Sequence, residues 1–390
     1  METKMYLLLS SMMFLEYAVW GAWAPVLAAR LLGPLKMNGK QTGWIYGTIP
    51  LACLVSPLIA GQIADQWIAS KWILVFAHFA GAALLFAASK KEKFGPLFVV
   101  MGLYALLYSA TLPLVNSLMF ANLTDAATQS PKIFIWAPIG WVLVGLILTG
   151  WRKFKGTGDG SDCLKFAAIL SALMGVCCFF QPSVAPTGGS GSSLAFLDAF
   201  SMLKDSNILI FFIVSFIATT QLQFYFLCTA QFLGDIGAKS KNIPALMAIA
   251  QAAQIAATVW VLPVLLGVGY KWTLAVGVLS WLILYLIYSV EKPKFLVYGS
   301  MIFHGIAYVT FIIGGQIYIN SVADSSIVSS AQSLLFMATV GLGFFLGTQF
   351  TGVVMDKFSV DGKFQWRKIF IVPCGVLLAC ALAFIIFFKA

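Results

Sequence analysis

Charge is what this 390-residue sequence has least of: Asp, Glu, Lys and Arg make up 10% of it, against 61% hydrophobic residues and a mean hydropathy of +0.93. A soluble chain of this length needs about 25% charged residues to face water. A soluble globular fold is therefore excluded. Strict polar–apolar alternation is also missing, and apolar runs continue for about 20 residues, which excludes a transmembrane β-barrel. No lysine or arginine sits deep in a long apolar run, and only one of the fourteen carboxylates does, Glu16. An unpaired charge at the centre of a bilayer costs at least about 3 kcal/mol. The bilayer imposes this distribution, and Glu16 is the residue most in need of an explanation.

Other absences narrow the function. Gly156 to Gly160 does not precede a lysine–serine pair, so there is no nucleotide-binding loop and ATP drive is not expected. No nucleophile is paired with a base, so the protein is not expected to be an enzyme. The seven cysteines show no metal-ligand spacing, Cys177–Cys178 reads as a packed pair, and no cofactor or metal is expected. A net charge of +10 usually raises the question of nucleic acid. Here the basic residues lie singly or in short groups such as Lys90, Lys91 and Lys93, with no aromatic-interleaved stripe. They read as membrane-flanking residues, with no nucleic-acid partner. The first span is long and lacks a cleavage site after it, so it is expected to be retained.

Twelve runs are long enough to cross about 30 Å of hydrocarbon. Their limits are 6–29, 42–64, 72–89, 95–121, 133–151, 164–181, 207–233, 244–266, 272–290, 296–320, 327–355 and 369–388. The connection 182–206 opens as a Pro/Gly/Ser-rich linker and ends in an amphipathic stretch, Leu194 to Leu203. The fold class is thus all-α integral membrane, with an amino-terminal bundle over 1–181, the linker, and a second six-helix bundle over 207–390. Six spans, a polar connection and six more is the layout of the major facilitator superfamily, whose halves are parallel repeats around a central cavity. Gly61-Gln-Ile-Ala-Asp65 after span 2 is mirrored by Gly352-Val-Val-Met-Asp356 after span 11. A glycine four residues before an aspartate lets two helices approach, and the carboxylate can then cap a neighbouring helix as a gate latch. Pro25, Pro50, Pro57, Pro113, Pro138 and Pro263 are expected helix breakers. Gly341, Gly343 and Gly347 form a small-residue face for tight packing.

Several local patterns resemble the nucleoside:proton symporter family within that superfamily. They are Phe14-Leu-Glu-Tyr-Ala-Val-Trp20-Gly21-Ala-Trp23, Ala64-Asp65-Gln-Trp67, Pro113-Leu-Val-Asn116-Ser, Ile139-Gly140-Trp141, Gln221-Leu-Gln223, His304-Gly-Ile-Ala-Tyr308, Gly315-Gln316-Ile-Tyr318 and Ser330-Ala331-Gln332. They follow one another in order along nearly the whole chain. The resemblance implies a secondary transporter of nucleosides, proton-coupled, multi-pass in a bacterial inner membrane and acting as a monomer. It also exposes departures. Phe134 stands where the family has an arginine, Pro138 replaces a threonine and Phe226 an asparagine. Gln254 replaces an acid and Val309 an aspartate.

Against that background the candidate residues divide by chemistry. Glu16 lies one helical turn from Trp20, so one face presents a carboxylate among aromatic rings. It is either the proton-coupling group facing the cavity or a protonated acid bonded to a neighbouring helix. His304 and Tyr308 share a face, and the imidazole is either a solute contact and second proton candidate or a packed neutral ring. Gln223, Gln251 and Gln254 offer paired donors and acceptors to a base or sugar, or else glue between helices. The resemblance puts Trp141 and Phe226 near the solute as stacking surfaces, and Phe134 and Trp20 are further candidate solute contacts. His78 reads as structural. Asp65 and Asp356 are the gating pair. With the amino terminus cytoplasmic, as the resemblance implies, Lys4, Lys71, Lys132, Lys204, Lys271 and Lys389 lie inside. The other eighteen of twenty-four basic residues lie outside, against the positive-inside rule. Two further readings stay open: an uncoupled facilitator or carrier of another small polar or aromatic solute, and a transport-inactive ligand-binding membrane protein.

Overall fold

The computed structural model describes residues 2–32, 34–37, 39–155, 160–186, 195–238, 243–361 and 363–389. Twelve helical segments among them are long and apolar enough to cross a bilayer. Numbered as spans 1 to 12, they are Thr3–Trp23, Gly43–Gln66, Ser70–Ser89, Phe94–Ala121, Ala126–Lys155, Asp162–Phe180, Ser206–Thr229, Ile249–Val268, Tyr270–Val290, Lys294–Val322, Val328–Lys357 and Trp366–Phe387. Hydrocarbon offers no water to an open N–H or C=O, so each span closes its own hydrogen bonds as a helix.

The prolines act unevenly. Span 1 stops at Trp23 instead of running to residue 29, because Pro25 lacks an N–H; after a turn the chain resumes as Leu27–Leu32. Span 2 is two helices, Gly39–Ala52 and Ser56–Gln66, interrupted between Pro50 and Pro57. Pro113, by contrast, sits inside an unbroken helix, Phe94–Ala121. Spans 8, 10 and 11 each contain a widened π segment, Ala257–Val261, Tyr308–Ile313 and Met337–Gly343. In two of them a threonine returns its hydroxyl to the carbonyl four residues back, Thr258 to Gln254 O at 2.8 Å and Thr310 to Ile306 O at 2.9 Å. Such back-bonding competes with the helix ladder. Of the linker, residues 187–194 lie outside the described residues. Ala195–Ser201 is helical, and Asp205 caps span 7 by accepting from Asn207 N (2.8 Å) and Ile208 N (3.0 Å). A small hairpin, Ser359–Val360 against Lys363–Phe364 with Ser359 opposite Phe364, precedes span 12.

Two compact units divide the chain: Met1–Phe200 with Val322–Met337, and Ser201–Ser321 with Ala338–Ala390. The start of span 11 joins the first unit because its helix Val328–Phe336 packs on spans 2 and 4. The same pairing scheme recurs in both units. In the first, span 1 packs on spans 5 and 6 and span 3 on spans 4 and 6; in the second, span 7 packs on 11 and 12 and span 9 on 10 and 12. Spans 1 to 6 thus repeat as 7 to 12, the internal duplication of a major facilitator.

Glycines set the closest seams. On span 11, a Cβ at Gly347 would lie 2.7 Å from Thr220 Cα of span 7, so the small-residue face is packed tight. Between spans 1 and 5, a Cβ at Gly21 would lie 3.0 Å from Trp141 Cα, and one at Gly140 would collide with the Phe14 carbonyl oxygen. Neither backbone can yield without moving a helix. Gly140→Val should therefore cost about 1–3 kcal/mol, the range for overpacking, and lower the melting temperature of the purified protein. Gly102→Val, where an added Cβ meets nothing within 4 Å, should leave it close to the parent value.

Candidate functional site

The first unit buries a polar cluster at membrane depth. Glu16 is fully buried, at 0% exposure, and does not face open space among aromatic rings as its position beside Trp20 implies. Its Oε2 lies 2.9 Å from Nε2 of His78 on span 3, and its Oε1 lies 2.6 Å from the Thr111 hydroxyl on span 4. Tyr108 OH donates to the Glu16 carbonyl oxygen at 2.7 Å. His78, which reads from the sequence as structural, is thus the acid's partner. Two ionisable groups buried in hydrocarbon seek each other. That rule, applied to one intramembrane acid and one of only two histidines, could have joined them.

Beside this cluster the two tryptophans behave as a pair. Trp20 and Trp141 are half-buried and meet edge to face with centroids 5.6 Å apart, and Trp20 also meets Tyr108 at 6.1 Å. The geometry lies in the favourable range for aromatic contacts. Phe134 stands differently. It is 2% exposed and packed edge to face on Phe120, so it offers no surface to a solute in this conformation.

The second unit gathers rings around His304. Tyr225 of span 7 lies parallel to the imidazole, 3.6 Å between centroids, and Phe226 meets it edge-on at 6.0 Å. Trp281 of span 9 directs its indole N–H at His304 Nδ1, 3.4 Å away. An indole nitrogen only donates. His304 Nδ1 therefore carries a lone pair, and the ring is neutral with its hydrogen on Nε2. Tyr308 contacts the same ring at 6.4 Å and opens the π segment of span 10, a distortion frequent at functional sites. Phe226 is 47% exposed, the most open member of the group. Neither Tyr225 nor Trp281 was among the sequence candidates at this spot, since nothing in one sequence tells a stacking ring from a packing ring.

The glutamines are only partly engaged. Gln223 Oε1 accepts from Thr348 at 3.3 Å, while its Nε2 is buried without a hydrogen-bond acceptor among the described residues. Gln254 is buried and Gln251 half-buried on span 8. A Cβ on Gly305 would press within 2.7 Å of Gln254 N, so spans 8 and 10 meet closely there. The sequence candidates of this unit, Gln223, Gln251, Gln254, His304, Tyr308 and Phe226, lie on spans 7, 8 and 10.

Of the two glycine–aspartate patterns, one is engaged. Asp65 Oδ2 accepts from Ser330 N at 2.9 Å and from Ser330 Oγ at 2.8 Å, capping the helix that opens span 11. Gly61 makes room, since a Cβ there would lie 2.7 Å from Ser333 Oγ. The second pattern does not act this way. Asp356 is exposed and accepts no hydrogen bond among the described residues, and nothing lies within 4 Å of a Cβ on Gly352.

Comparison with known proteins gives this geometry a context. A family model described as "Nucleoside H+ symporter" matches residues 1–390. YegT of Escherichia coli (strain K12) is 30% identical over 406 residues, covering 98% of this chain and 93% of its own. The nucleoside permease NupG of the same organism is 27% identical over 396 residues, covering 96% and 94%. The crystal structure of nucleoside transporter NupG superimposes with a TM-score of 0.71 at 25% identity, over 99% of both chains. The proton:xylose symporter XylE, at 12% identity and a TM-score of 0.76, shares the fold.

A helix cap by a charged side chain contributes about 1 kcal/mol, more when it is shielded from water. Asp65→Ala should therefore lower the melting temperature measurably, whereas Asp356→Ala should leave it within the scatter of repeat measurements. Equal effects at the two positions would remove the distinction between an engaged and an idle aspartate.

Proposed function

Because this chain belongs to the nucleoside H+ symporter family, we infer that it carries nucleosides across the membrane together with protons, by alternating access. It is a transporter and not an enzyme, and its twelve spans and bacterial relatives make it a multi-pass inner-membrane protein. The observation that carries the inference is the match along the entire chain, residues 1–390.

The solute is read by amides and rings. Gln223, Gln251, Gln254 and the Nε2–H of His304 supply donors and acceptors suited to base edges and sugar hydroxyls. Tyr308, Phe226, Trp20 and Trp141 supply stacking surfaces; Phe134 joins them only if span 5 rearranges. The buried, unpaired Nε2 of Gln223 favours this role over simple helix glue, because an unsatisfied buried donor is costly unless a ligand completes it. For coupling, Glu16 is preferred to His304. Trp281 fixes His304 as neutral, whereas Glu16 already sits in a hydrogen-bonded setting that can hold a proton. Asp65 latches the start of span 11 in the present state and releases it as the carrier turns over, and Asp356 serves the alternate state. The protein works as a monomer in the bilayer and binds no nucleic acid. The amino terminus lies on the cytoplasmic side. An uncoupled facilitator is the second reading, favoured by Gln254 and Val309 standing where the family has acids.

The test is uptake of labelled uridine, adenosine and xanthosine into proteoliposomes, with and without an imposed pH gradient. Accumulation of at least one, driven by the gradient, supports the function; equilibration without accumulation leaves a facilitator; binding without flux leaves an inactive receptor. Gln251→Ala should weaken nucleoside binding about 2- to 10-fold, the worth of one neutral hydrogen bond at 0.5–1.5 kcal/mol, as read by calorimetry. Unchanged affinity in a folded variant would make Gln251 packing glue.

A further inference from the structure

The pairing of Glu16 with a histidine raises a question of hydrogen bookkeeping. Ser171 on span 6 donates its hydroxyl to the His78 carbonyl oxygen at 2.8 Å, so only its lone pairs remain for His78 Nδ1, 3.4 Å away. While Ser171 keeps that bond, Nδ1 is the nitrogen that carries the hydrogen. That leaves Nε2 facing Glu16 Oε2 at 2.9 Å. If neither atom carried a hydrogen, two lone pairs would face each other at hydrogen-bond distance, and the pair would separate. One proton must lie between them. The other carboxyl oxygen is served by Thr111, whose Oγ1 is 2.6 Å both from Glu16 Oε1 and from Tyr108 O. A hydroxyl has one hydrogen to give. It can turn to Oε1 when the carboxyl group needs a donor and back to the Tyr108 carbonyl when it does not.

We propose that Glu16 and His78 jointly hold the coupling proton, bridged between Oε2 and Nε2, and that its departure drives span 1 and span 3 apart. This deepens the inference of proton-coupled transport and rests on it. With the proton present the pair is neutral overall, and all its polar atoms are bonded. When the proton leaves to water, Glu16 keeps both electrons of the broken bond and becomes a carboxylate; for as long as Ser171 holds the His78 carbonyl, His78 stays neutral with its hydrogen on Nδ1 and the facing lone pairs repel. Among the described residues, the titratable groups that face the pair are Tyr104 and Tyr108 from span 4 and Cys178 from span 6. None of them is a cation that could hold the bare carboxylate in place. The consequence reaches the aromatic pair directly, since Tyr108 is bonded to the Glu16 carbonyl and touches Trp20, which touches Trp141.

Two measurements on the full-length protein test it. In detergent without any solute, the infrared carboxyl C=O band is titrated against pH. Glu16→Gln should abolish a titrating band that survives Asp65→Asn, and His78→Gln should move its midpoint by at least about one pH unit, because the proton then rests on one group alone. Thr111→Val, which keeps volume while losing the donor to the carboxylate, should move the midpoint upward. In proteoliposomes with labelled uridine and adenosine, Glu16→Gln and His78→Gln should each cut pH-driven accumulation at least about 10-fold and cut solute counterflow by much less. A titrating band that depends on both residues, in a protein that accumulates neither nucleoside, upholds the shared proton and overturns the transport inference. Gradient-driven accumulation that survives both substitutions overturns the shared proton and leaves transport standing. A band indifferent to His78→Gln overturns the joint holding of the proton.

Discussion

Inside hydrocarbon no water is available to complete a polar group's bonds, and each such group must be answered by the protein itself. That constraint orders the whole molecule. It forces the twelve spans to be helical, and it decides how charges are used at their ends. Arg30 is 2% exposed, yet its guanidinium donates to the carbonyls of Ser89 (3.1 Å) and Lys91 (3.2 Å), at the carboxyl end of span 3. Lys71 does the same for Gln181 O at 3.3 Å, just past span 6. Asp65 and Asp205 sit at amino ends instead. Cations answer the negative end of a helix and anions the positive end, as the macrodipole requires. Two of the basic residues in the loop count are thereby structural caps, one from each side of the membrane, and carry less weight as topology signals than free loop lysines do.

Each unit of the duplication holds one polar centre on the same trio of counterpart spans. Glu16, His78 and Thr111 come from spans 1, 3 and 4; Tyr225, Trp281 and His304 come from spans 7, 9 and 10, their repeat counterparts. Each centre contains one of the chain's two histidines. The surroundings give them opposite characters. His78 faces a carboxyl group across 2.9 Å and has a serine hydroxyl on its far side. His304 faces an indole donor and lies flat on a tyrosine ring, so its proton is fixed and it can serve only as a neutral donor. Counterpart spans thus carry an acid–histidine pair in the first unit and a ring-lined histidine in the second, although the two histidines themselves stand on spans 3 and 10, which are not counterparts.

Much of the fold was legible because hydropathy over about 20 residues is a direct consequence of bilayer thickness. Twelve spans, the break at Pro25 and the close approach at Gly61 all followed from local rules. The π segments were not anticipated, although Thr258 and Thr310 mark two of them, because a threonine's choice between solvent and its own helix depends on what packs outside. The polar sites were less legible for a related reason. Glu16 stood out as a lone charge, but its partner lies 62 residues away and belongs to a helix with no other unusual feature. Asp65 and Asp356 share a spacing, yet only one has a helix end before it. Spacing specifies which side chain is presented; the neighbouring helix decides whether anything receives it.

Within the described spans Glu16 is the fully buried acid of the first unit, and residues 254 and 309 of the second unit are a glutamine and a valine. A carrier needs its titrating group where deprotonation cannot go unanswered, since a group that ionises at no structural cost transmits nothing. A glutamine at residue 254 has no such state. Glu16 has, because its neutral form is fully bonded in a dry site and its charged form loses its closest partner. In the arrangement proposed for the pair, ionisation is accompanied by entry of water or by movement of span 3, along the seam that carries Tyr108 and Trp20. The same reasoning explains why the pair is a histidine and an acid and not an acid with an arginine. A permanently cationic partner would stabilise the carboxylate in the closed arrangement and uncouple proton release from any change of shape.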